Sequence, residues 1–374
     1  VAEGIVMSST ELLAVSQPPR RLCIVGAGVI GMEMASVFSR FGSEVTVVEF
    51  LRECLPAVDS DIAKRLRKQL ERQGISFVMQ AAVQEVCVQP SGERLVGYTD
   101  KKGRGCQLVA DAVLVATGRQ PNTAGLNLAA AGVQTGRGGF VTVDDDMQTN
   151  VPHLYAIGDV NGRNMLAHAA TMQGLHAVEH ILCSMDNGQW TMDNGQWSKV
   201  NGQRSNVNGQ WSTVNGQRTM DNGQWSMVKG QRSNVNGQWS TVNGQLSIVN
   251  CQLSIINYQL SPVPAAIFTS PECACVGMSE DQAKEQLPGY VCRKSYYRSS
   301  GRALAIEQTE GMVKLLADGG TGRIVGCHVY GAHAADIVQE ATALMSMGAT
   351  LDQLAAVVHI HPTLGELLQE AALG

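Results

Sequence analysis

Near its start the chain places three glycines at fixed spacing directly after a short apolar run. Gly26-Ala27-Gly28-Val29-Ile30-Gly31 follows residues 22–25 and fits the pattern G-x-G-x-x-G. In this pattern the first glycine permits a tight turn, the second lets the backbone approach a pyrophosphate, and the third lets a helix pack closely on a strand. The N-terminus of the following helix favours anionic phosphates. The sequence therefore predicts a dinucleotide-binding loop made of Gly26, Ala27, Gly28, Val29, Ile30 and Gly31.

An acidic residue at the end of the next apolar run indicates which dinucleotide this loop prefers. Residues 44–49 are mostly apolar and end in Glu49. A carboxylate at this place can accept hydrogen bonds from the adenosine ribose hydroxyls and repels a 2′-phosphate, so we predict NAD rather than NADP. The alternative is a glycine-rich turn in an α/β protein that binds no ligand. The complete order of strand, glycines, helix, strand and acid favours the binding site.

A second group of residues, near the C-terminus, has the types needed for proton transfer. His361 lies in His359-Ile360-His361-Pro362-Thr363, and Glu366 follows it closely. Imidazole has an unperturbed pKa of about 6.5, which suits the exchange of protons with a thiol. Pro362 restrains the loop, and Glu366 is near enough in sequence to fold back and orient the ring. The alternative is a buried loop histidine beside a helix acid. We predict a structural role for His359.

The elements that position these residues follow from the hydrophobic periodicity. The apolar runs predict parallel strands, and the three-to-four-residue spacing predicts a helix from 32 to 41 and a second one capped by Asp59 or Ser60. The predicted parallel strands are 22–25, 44–49, 75–79 and 111–115, the shorter antiparallel strands are 83–88, 94–99 and 107–109, and a further buried strand is 153–160. After residue 263 we predict an antiparallel sheet with strands at 311–317 and 323–330, followed by a helix from 334 to 347.

Five motifs follow one another along the chain. They are residues 22–49, Ala116-Thr117-Gly118-Arg119-x-Pro121-Asn122, Tyr155-Ala156-Ile157-Gly158-Asp159, Met165-Leu166-Ala167-His168 and residues 359–366. Together, in this order and spacing, they resemble the pyridine nucleotide-disulfide oxidoreductase family, and within it the dihydrolipoyl dehydrogenase group. The resemblance covers nearly all of the chain except residues 185–260.

This resemblance implies a role for each matching residue. Glu33 would join the glycines and Glu49 in binding NAD, and Gly118 would lie near the nicotinamide. Asp159 would bind the ribityl or pyrophosphate region of FAD, although a turn or capping acid is the alternative. The backbone amides that would pass over the flavin belong to Met165, Leu166, Ala167 and His168. The family's acid–base pair corresponds to His361 and Glu366 and lies over the flavin of the other subunit, so activity requires a homodimer.

The activity implied by the resemblance is the oxidation of dihydrolipoamide with reduction of NAD through a disulfide and FAD. The partners would be the lipoyl domains of 2-oxo acid dehydrogenase or glycine cleavage complexes. The family's first FAD fingerprint and its C-x-x-x-x-C disulfide do not occur in this sequence. We therefore expect an N-terminally truncated chain that is inactive alone. A non-catalytic NAD-binding fragment, half of a split enzyme, or another family member of the glutathione or mercuric reductase type stay open as alternatives.

Residues 185–260 interrupt every pattern above with a repeat of seven residues. Trp190, Trp197, Arg204, Trp211 and Arg218 begin the series, and Asn-Gly-Gln precedes most of its members. One large apolar residue per repeat and frequent Asn-Gly pairs oppose a coiled coil. Irregular hairpins are possible because Asn-Gly favours tight turns. The polarity and near-identity of the repeats favour a disordered insertion, with a tryptophan-bearing interaction array as the alternative.

Composition sets limits on partners and location. The net charge is −5 and charged residues make up 16% of the chain, so we expect no nucleic-acid partner. No apolar run approaches the length of a transmembrane helix, and we expect no membrane association. The ten cysteines include no C-x-x-C pair and no zinc-like spacing with histidine, so we expect no metal. Cys273-Ala274-Cys275 is predicted to be a pair of structural thiols on a strand. Reduced thiols without an export signal favour the cytoplasm.

The predicted fold class is α/β, with a Rossmann-like NAD-binding domain and a partial FAD-binding domain, followed by an α+β dimerisation domain. Residues 1–18 would end the FAD-binding region or form a linker. The remaining parts are the NAD-binding domain at 19–117, the second part of the FAD-binding domain at 118–184, the repeat insertion at 185–260 and the dimerisation domain at 261–374.

Overall fold

The computed structural model describes residues 4–184 and 262–374, together with six short strands between 190 and 228. The chain forms two units. Unit 1 consists of Val1–Arg119 and Pro262–Gly374, and unit 2 consists of Gln120–Ser261. The predicted NAD-binding and dimerisation regions thus belong to the same unit. None of the helices in the described part of the chain is long and apolar enough to cross a membrane.

The first half of unit 1 is built on a parallel sheet. In chain order its elements are α1 (Ser9–Leu13), β1 (Arg21–Val25), α2 (Val29–Arg40), β2 (Glu44–Glu49), α3 (Ser60–Arg72), β3 (Ser76–Met79), β4 (Ala82–Val88), β5 (Arg94–Thr99), β6 (Gly105–Ala110) and β7 (Ala112–Val115). The parallel strands lie in the order β3-β2-β1-β7, and β4-β5-β6 form a separate antiparallel sheet. Both sheets agree with the strands predicted from the sequence.

The sequence periodicity predicted the buried side of helix α3 correctly but predicted that of α2 only in part. The spacing of Ile62, Leu66 and Leu70 predicts one apolar face for α3, and all three residues are buried. For α2 the spacing predicts a face made of Ile30, Met34, Val37, Phe38 and Phe41. Phe38 is buried as predicted, but Val37 and Phe41 are exposed, and Ala35 is among the residues buried instead. Helix α2 carries apolar residues on several sides, so spacing alone did not reveal which side packs on the sheet.

Unit 2 carries the second region of functional interest. Its described part contains 3₁₀ turns at Ala124–Leu126, Arg137–Gly139 and Gly158–Asn161, followed by α4 (Ala167–Ser184). The buried strand predicted at 153–160 is wrong. Tyr155 forms only an isolated antiparallel bridge with Gln148, and the chain then enters the 3₁₀ turn. A strand requires backbone partners along its length, whereas this segment has a few separate backbone hydrogen bonds, around that bridge and at Val160, which accepts from the amide of Val141.

Part of the repeat segment has described backbone. Its strands are β8 (Trp190–Asp193), β9 (Gln196–Lys199), β10 (Ser205–Val207), β11 (Trp211–Val214), β12 (Gln217–Asp221) and β13 (Met227–Val228). The pairs β8–β9 and β11–β12 are antiparallel. Most of segment 185–260 lies outside the described residues, so its predicted disorder stays a prediction.

The second half of unit 1 is an antiparallel sheet with helices packed on it. Its elements are β14 (Ala265–Ile267), β15 (Glu272–Gly277), α5 (Glu280–Gln286), β16 (Val291–Tyr296), α6 (Gly301–Ala305), β17 (Met312–Ala317), β18 (Ile324–Gly331), α7 (Ala334–Ser346), α8 (Leu351–Ala355) and α9 (Glu366–Leu373). The strand order is β14-β15-β18-β17-β16. The predicted helix at 334–347 is confirmed by α7, which buries Ile337 and Ala341.

A buried ion cluster joins the two halves of unit 1. Lys314 on β17 donates from Nζ to Oδ1 of Asp59 at 2.7 Å, and its Nζ also pairs with Glu280. Asp59 accepts from the backbone amides of Ile62 at 3.3 Å and Glu280 at 2.9 Å, so the same carboxylate caps α3. The Lys314 and Asp59 side chains are both 0% exposed. Each charge is therefore stabilised only by its protein partners.

The protonation of this cluster follows from burial and hydrogen bonding acting in opposite directions. Burial raises the pKa of Asp59, but the hydrogen bonds from Lys314 and from the Glu280 amide outweigh it, and the net pKa lies below the ordinary value. Burial lowers the pKa of Lys314, and its bonds to Asp59 and Glu280 raise it above the ordinary value. Both shifts favour the charged pair.

We predict that Lys314→Met lowers the free energy of unfolding by about 3–5 kcal/mol, because Asp59 is left buried without its cation. Lys294→Met is the matched control: Lys294 pairs with Asp61 at 2.9 Å, but both side chains are about 30% exposed. Such a pair contributes about 0–1 kcal/mol. Urea unfolding followed by circular dichroism measures both variants, and equal losses would contradict the interpretation of the buried cluster.

Candidate functional site

The three glycines of the loop after β1 have different structural reasons to be glycine. Gly26 has a φ of +105°, and a Cβ there would lie 2.6 Å from the carbonyl oxygen of Ala116. A Cβ on Gly31 would overlap the carbonyl oxygen of Gly26, so only glycine lets α2 pack this closely. At Gly28, no atom of the described chain lies within 4 Å of the Cβ position. The open side of the loop is therefore at Gly28, where a phosphate can approach the backbone.

Helix α2 presents its N-terminus at this open side. Gly28 is its N-cap residue, and the first helical hydrogen bond runs from the amide of Met32 to the carbonyl of Gly28. The amides of the first turn, which includes Val29 and Ile30, have no partners within a helix and carry the positive end of its dipole. This is the arrangement that binds anionic phosphate groups in proteins.

Glu49 closes the loop from the neighbouring strand. Its buried carboxylate accepts a hydrogen bond from the amide of Ala27 at 2.5 Å and another from the amide of Leu51 at 2.7 Å. Each oxygen of an ionised carboxylate has a further lone pair, so a ribose hydroxyl can still donate to it. The structure adds a function that the sequence did not suggest, because Glu49 also fixes the conformation of the glycine loop.

The two remaining residues predicted for NAD lie at the edges of this loop region. Glu33 on α2 accepts a hydrogen bond from the amide of Phe268 at 2.8 Å, which ties α2 to the second half of unit 1. Gly118 follows β7 in an exposed loop with a φ of +141°. Glu33 thus has a structural partner in this chain. The nucleotide-binding roles of Glu33 and Gly118 stay predictions.

In unit 2 the predicted flavin-binding residues lie on a turn and at a helix start. Asp159 is exposed within the 3₁₀ turn. Helix α4 begins at Ala167, so the segment Met165–His168 leads into its first turn and places backbone amides at the N-terminal end of a long helix. A helix N-terminus and an exposed acid fit the phosphate and hydroxyl groups of a flavin nucleotide.

One residue that organises this turn was missed at the sequence level. The buried side chain of Gln173, on α4, accepts hydrogen bonds from the amide of Gly158 at 2.7 Å and from Nδ2 of Asn161 at 2.9 Å. It thereby holds both sides of Asp159 in place. A single glutamine within a helix carries no sequence pattern that predicts this contact.

The predicted acid–base pair is formed in unit 1. Nδ1 of His361 lies 2.9 Å from Oε1 of Glu366, the first residue of α9, and Oε2 of Glu366 accepts from the amide of Thr363 at 2.8 Å. The hydrogen bonds from the Thr363 amide and from His361 lower the pKa of Glu366 below its ordinary value. The His361 side chain is 81% exposed, which excludes the alternative of a buried loop histidine.

A cleft of about 530 Å³ lies beside this pair, between α7 and the segment that precedes α9. His359 lines it, and its Nε2 lies 2.9 Å from Oε1 of Glu340 on α7. The sequence predicted a structural role for His359 but did not identify Glu340 as its partner, because the two residues belong to different elements.

The predicted structural thiols are found on strand β15. Burial raises the pKa of Cys275 to about 11 and that of Cys273 well above its ordinary value. Since the thiolate is the reactive form, this shift disfavours redox chemistry at both residues. Within the described ranges, no group of three or more His, Cys, Asp or Glu side chains is placed to hold a metal ion.

Comparison with known families identifies the class of protein. Residues 2–174 match the family model described as pyridine nucleotide-disulphide oxidoreductase, and residues 263–372 match the one described as its dimerisation domain. Together the two matches cover more than half of the chain. The chain therefore belongs to the pyridine nucleotide-disulphide oxidoreductase family, and the predicted α/β fold class is confirmed.

Within this family, the chain is similar over its whole length to proteins named dihydrolipoyl dehydrogenase. The chain is 33% identical over 373 residues to "Dihydrolipoyl dehydrogenase 2, mitochondrial" of Arabidopsis thaliana, a match that spans 100% of this chain and 60% of that protein. It is also 33% identical over 373 residues to "Dihydrolipoyl dehydrogenase" of Cupriavidus necator, with 100% and 64% covered. The chain thus spans about three fifths of the length of these curated relatives.

Solved structures support the same fold. LpdA from Mycobacterium tuberculosis matches with a TM-score of 0.72 and 25% identity, over 99% of this chain and 65% of that one. The HOCl-induced flavoprotein disulfide reductase RclA from Escherichia coli matches with a TM-score of 0.71 and 24% identity, over 99% and 68%. The second likeness concerns the fold alone.

The geometry of the loop predicts that two alanine substitutions destabilise the protein to different degrees. Gly31→Ala should lower the free energy of unfolding by about 1–3 kcal/mol or more, because the new methyl group meets backbone that cannot move freely. Gly28→Ala should cost less than about 1 kcal/mol, since its methyl group enters open space and only the helix cap is weakened. Denaturant unfolding of the two variants checks this, and a larger loss for Gly28→Ala would contradict the assigned geometry.

Proposed function

We propose that this chain is the NAD-binding, second FAD-binding and interface part of a dihydrolipoyl dehydrogenase. The observation that carries the proposal is the exposed His361 paired with Glu366 at 2.9 Å in a chain of this family. The complete enzyme would oxidise protein-bound dihydrolipoamide and reduce NAD. The relatives named dihydrolipoyl dehydrogenase favour this activity over that of a glutathione or mercuric reductase. Glu49 also argues against an NADP-linked enzyme.

The residues of the glycine loop fit NAD. The open side at Gly28 and the N-terminus of α2 accommodate a pyrophosphate, and Glu49 can accept from the adenosine ribose. In unit 2, Asp159 and the start of α4 fit the polar groups of FAD. When bound, the two cofactors supply the hydride and electron transfer that amino-acid side chains cannot provide.

The chain's own contribution to the chemistry is the movement of a proton. Glu366 holds the His361 ring through Nδ1, which leaves Nε2 to accept a proton from a dithiol. Because the pKa of Glu366 lies below its ordinary value, the carboxylate stays ionised and stabilises the imidazolium that forms. The buried thiols Cys273 and Cys275 take no part in this step, since burial raises the pKa of both.

The partners follow from the same proposal. The match of residues 263–372 to the dimerisation domain supports a homodimer, in which each interface domain would serve the flavin of the other subunit. Lipoyl domains of 2-oxo acid dehydrogenase or glycine cleavage complexes would deliver the dithiol. The cytoplasmic location expected from the sequence is also part of this proposal.

We predict that the chain binds NADH at least about tenfold more tightly than NADPH, because a 2′-phosphate beside the Glu49 carboxylate brings like charges together. Titration calorimetry with both cofactors measures the ratio. Glu49→Ala should narrow it, whereas Glu44→Ala, which removes an exposed carboxylate at the other end of β2, should leave it unchanged. Tighter binding of NADPH by the unaltered chain would remove the basis for assigning NAD.

We predict that the chain alone oxidises no dihydrolipoamide, because its cysteines do not have the spacing of the family's redox disulfide. The test supplies, as a separate polypeptide, the region of a curated dihydrolipoyl dehydrogenase that this chain does not span. If the two parts assemble, NAD-linked dithiol oxidation should appear. His361→Gln should then lower kcat by about a hundredfold to ten-thousandfold while NADH affinity stays unchanged.

Two outcomes of this assay would overturn the proposed function. The first is robust FAD-dependent dithiol turnover by the unsupplemented chain, which would require a redox relay other than the family's disulfide. The second is turnover by the assembled parts that does not depend on His361. Failure of the parts to assemble despite intact NADH binding would favour the alternative of a non-catalytic NAD-binding fragment.

A further inference from the structure

His359 is the least exposed residue of the run 356–362, whose other members are all exposed. The side chain of His359 is 7% exposed, whereas Val358 and Ile360 on either side are 93% and 79% exposed. The segment 357–365 between α8 and α9 also carries His361. The inward-facing ring of His359 is therefore well placed to anchor the loop from which the exposed ring of His361 projects.

Both ring nitrogens of His359 face hydrogen-bond acceptors. Nε2 lies 2.9 Å from Oε1 of Glu340, and Nδ1 lies 3.2 Å from the carbonyl oxygen of Val357. The first contact reaches α7, which packs on the antiparallel sheet, and the second stays within the loop. The imidazole thus connects the loop to a helix that is packed on the sheet.

The anchor lies directly against the start of α9. A Cβ on Gly365 would lie 3.4 Å from Cδ2 of His359 and 3.5 Å from Oε2 of Glu340. Gly365 is the residue before Glu366, whose carboxylate holds both His361 and the amide of Thr363. The contact between His359 and Glu340 is therefore next to the backbone that sets the position of Glu366.

We propose that His359 is a positioning residue, which acts through Glu340 to hold the 357–365 segment so that His361 and Glu366 stay paired. The relevance of this to catalysis rests on the proposed function of His361. The positioning itself is a property of the chain and can be measured without any turnover.

Two substitutions of His359 separate its two contacts. His359→Gln places a side-chain amide near the former Nε2 and so keeps a donor for Glu340. His359→Asn instead places its amide near the former Nδ1, so it keeps a donor for the Val357 carbonyl but loses the contact with Glu340. Glu340→Ala removes the same contact from the other side. The matched control is His333→Gln, because His333 also lines the cleft and pairs with an acid, Asp336, at 3.3 Å.

The experiment uses the full chain with ¹⁵N-labelled histidine and backbone amides. In His359→Asn and Glu340→Ala we expect the exchange of the Thr363 amide hydrogen to accelerate at least about tenfold, the effect of losing a hydrogen bond to a charged group. The ring-nitrogen signals of His361 should shift as its pairing with Glu366 weakens. His359→Gln and His333→Gln should retain the exchange rate and the His361 signals of the unaltered chain.

The proposal is overturned if His359→Asn leaves both the Thr363 exchange and the His361 signals unchanged. It is also overturned if His359→Gln behaves like His359→Asn, since the contact with Glu340 would then be irrelevant, or if His333→Gln gives the same effect. Thermal unfolding of each variant shows whether a substitution has destabilised the whole fold. If His359→Asn is destabilised in this way, the proposal is judged by whether His359→Gln retains the Thr363 exchange rate and the His361 signals. Altered His361 signals in the variants, together with no dithiol turnover by the assembled enzyme that keeps His359, would contradict the proposed function and leave the positioning intact.

Discussion

The buried contact between Lys314 and Asp59 is the constraint on which unit 1 depends. It connects the strand β17 of the antiparallel sheet to the N-terminus of α3 on the parallel sheet, and neither charge is exposed to water. A buried charge without its partner is strongly destabilising, so the two halves of unit 1 hold each other in place. Two further hydrogen bonds join the halves through α2: the amide of Phe268 donates to Glu33, and the amide of Ser270 donates to the hydroxyl of Ser36.

The two candidate sites of unit 1 are held in place by different elements. The glycine loop follows β1 and leads into α2, and its Ala27 amide donates to Glu49 at the end of β2. The loop is therefore held by the parallel sheet and by the helix next to it. The pair of His361 and Glu366 depends instead on α9 and on the loop before it. The glycine loop is thus built on the parallel sheet, whereas the pair of His361 and Glu366 is built on a loop and the helix that follows it.

Several parts of this structure were predictable because they are governed by local chemistry. A glycine is required wherever a Cβ would meet backbone, as at Gly26 and Gly31, and the spacing of these residues follows from a single strand–turn–helix unit. The pairing of His361 with Glu366 spans few residues across the start of one helix. The errors concern packing: the buried side of α2 and the supposed strand at 153–160 both depend on neighbours distant in sequence.

The sequence by itself determined the order of elements from β1 to β7, the glycine loop, the acid at Glu49 and the pairing of His361 with Glu366, because each is encoded by periodicity or short spacing. Only the tertiary structure decided that Glu49 also fastens the loop, that Gln173 holds the turn of Asp159 and that Glu340 holds His359. These contacts join residues whose separation along the chain carries no pattern. Their partners are selected by the packing of whole elements, which is a cooperative property of the folded chain.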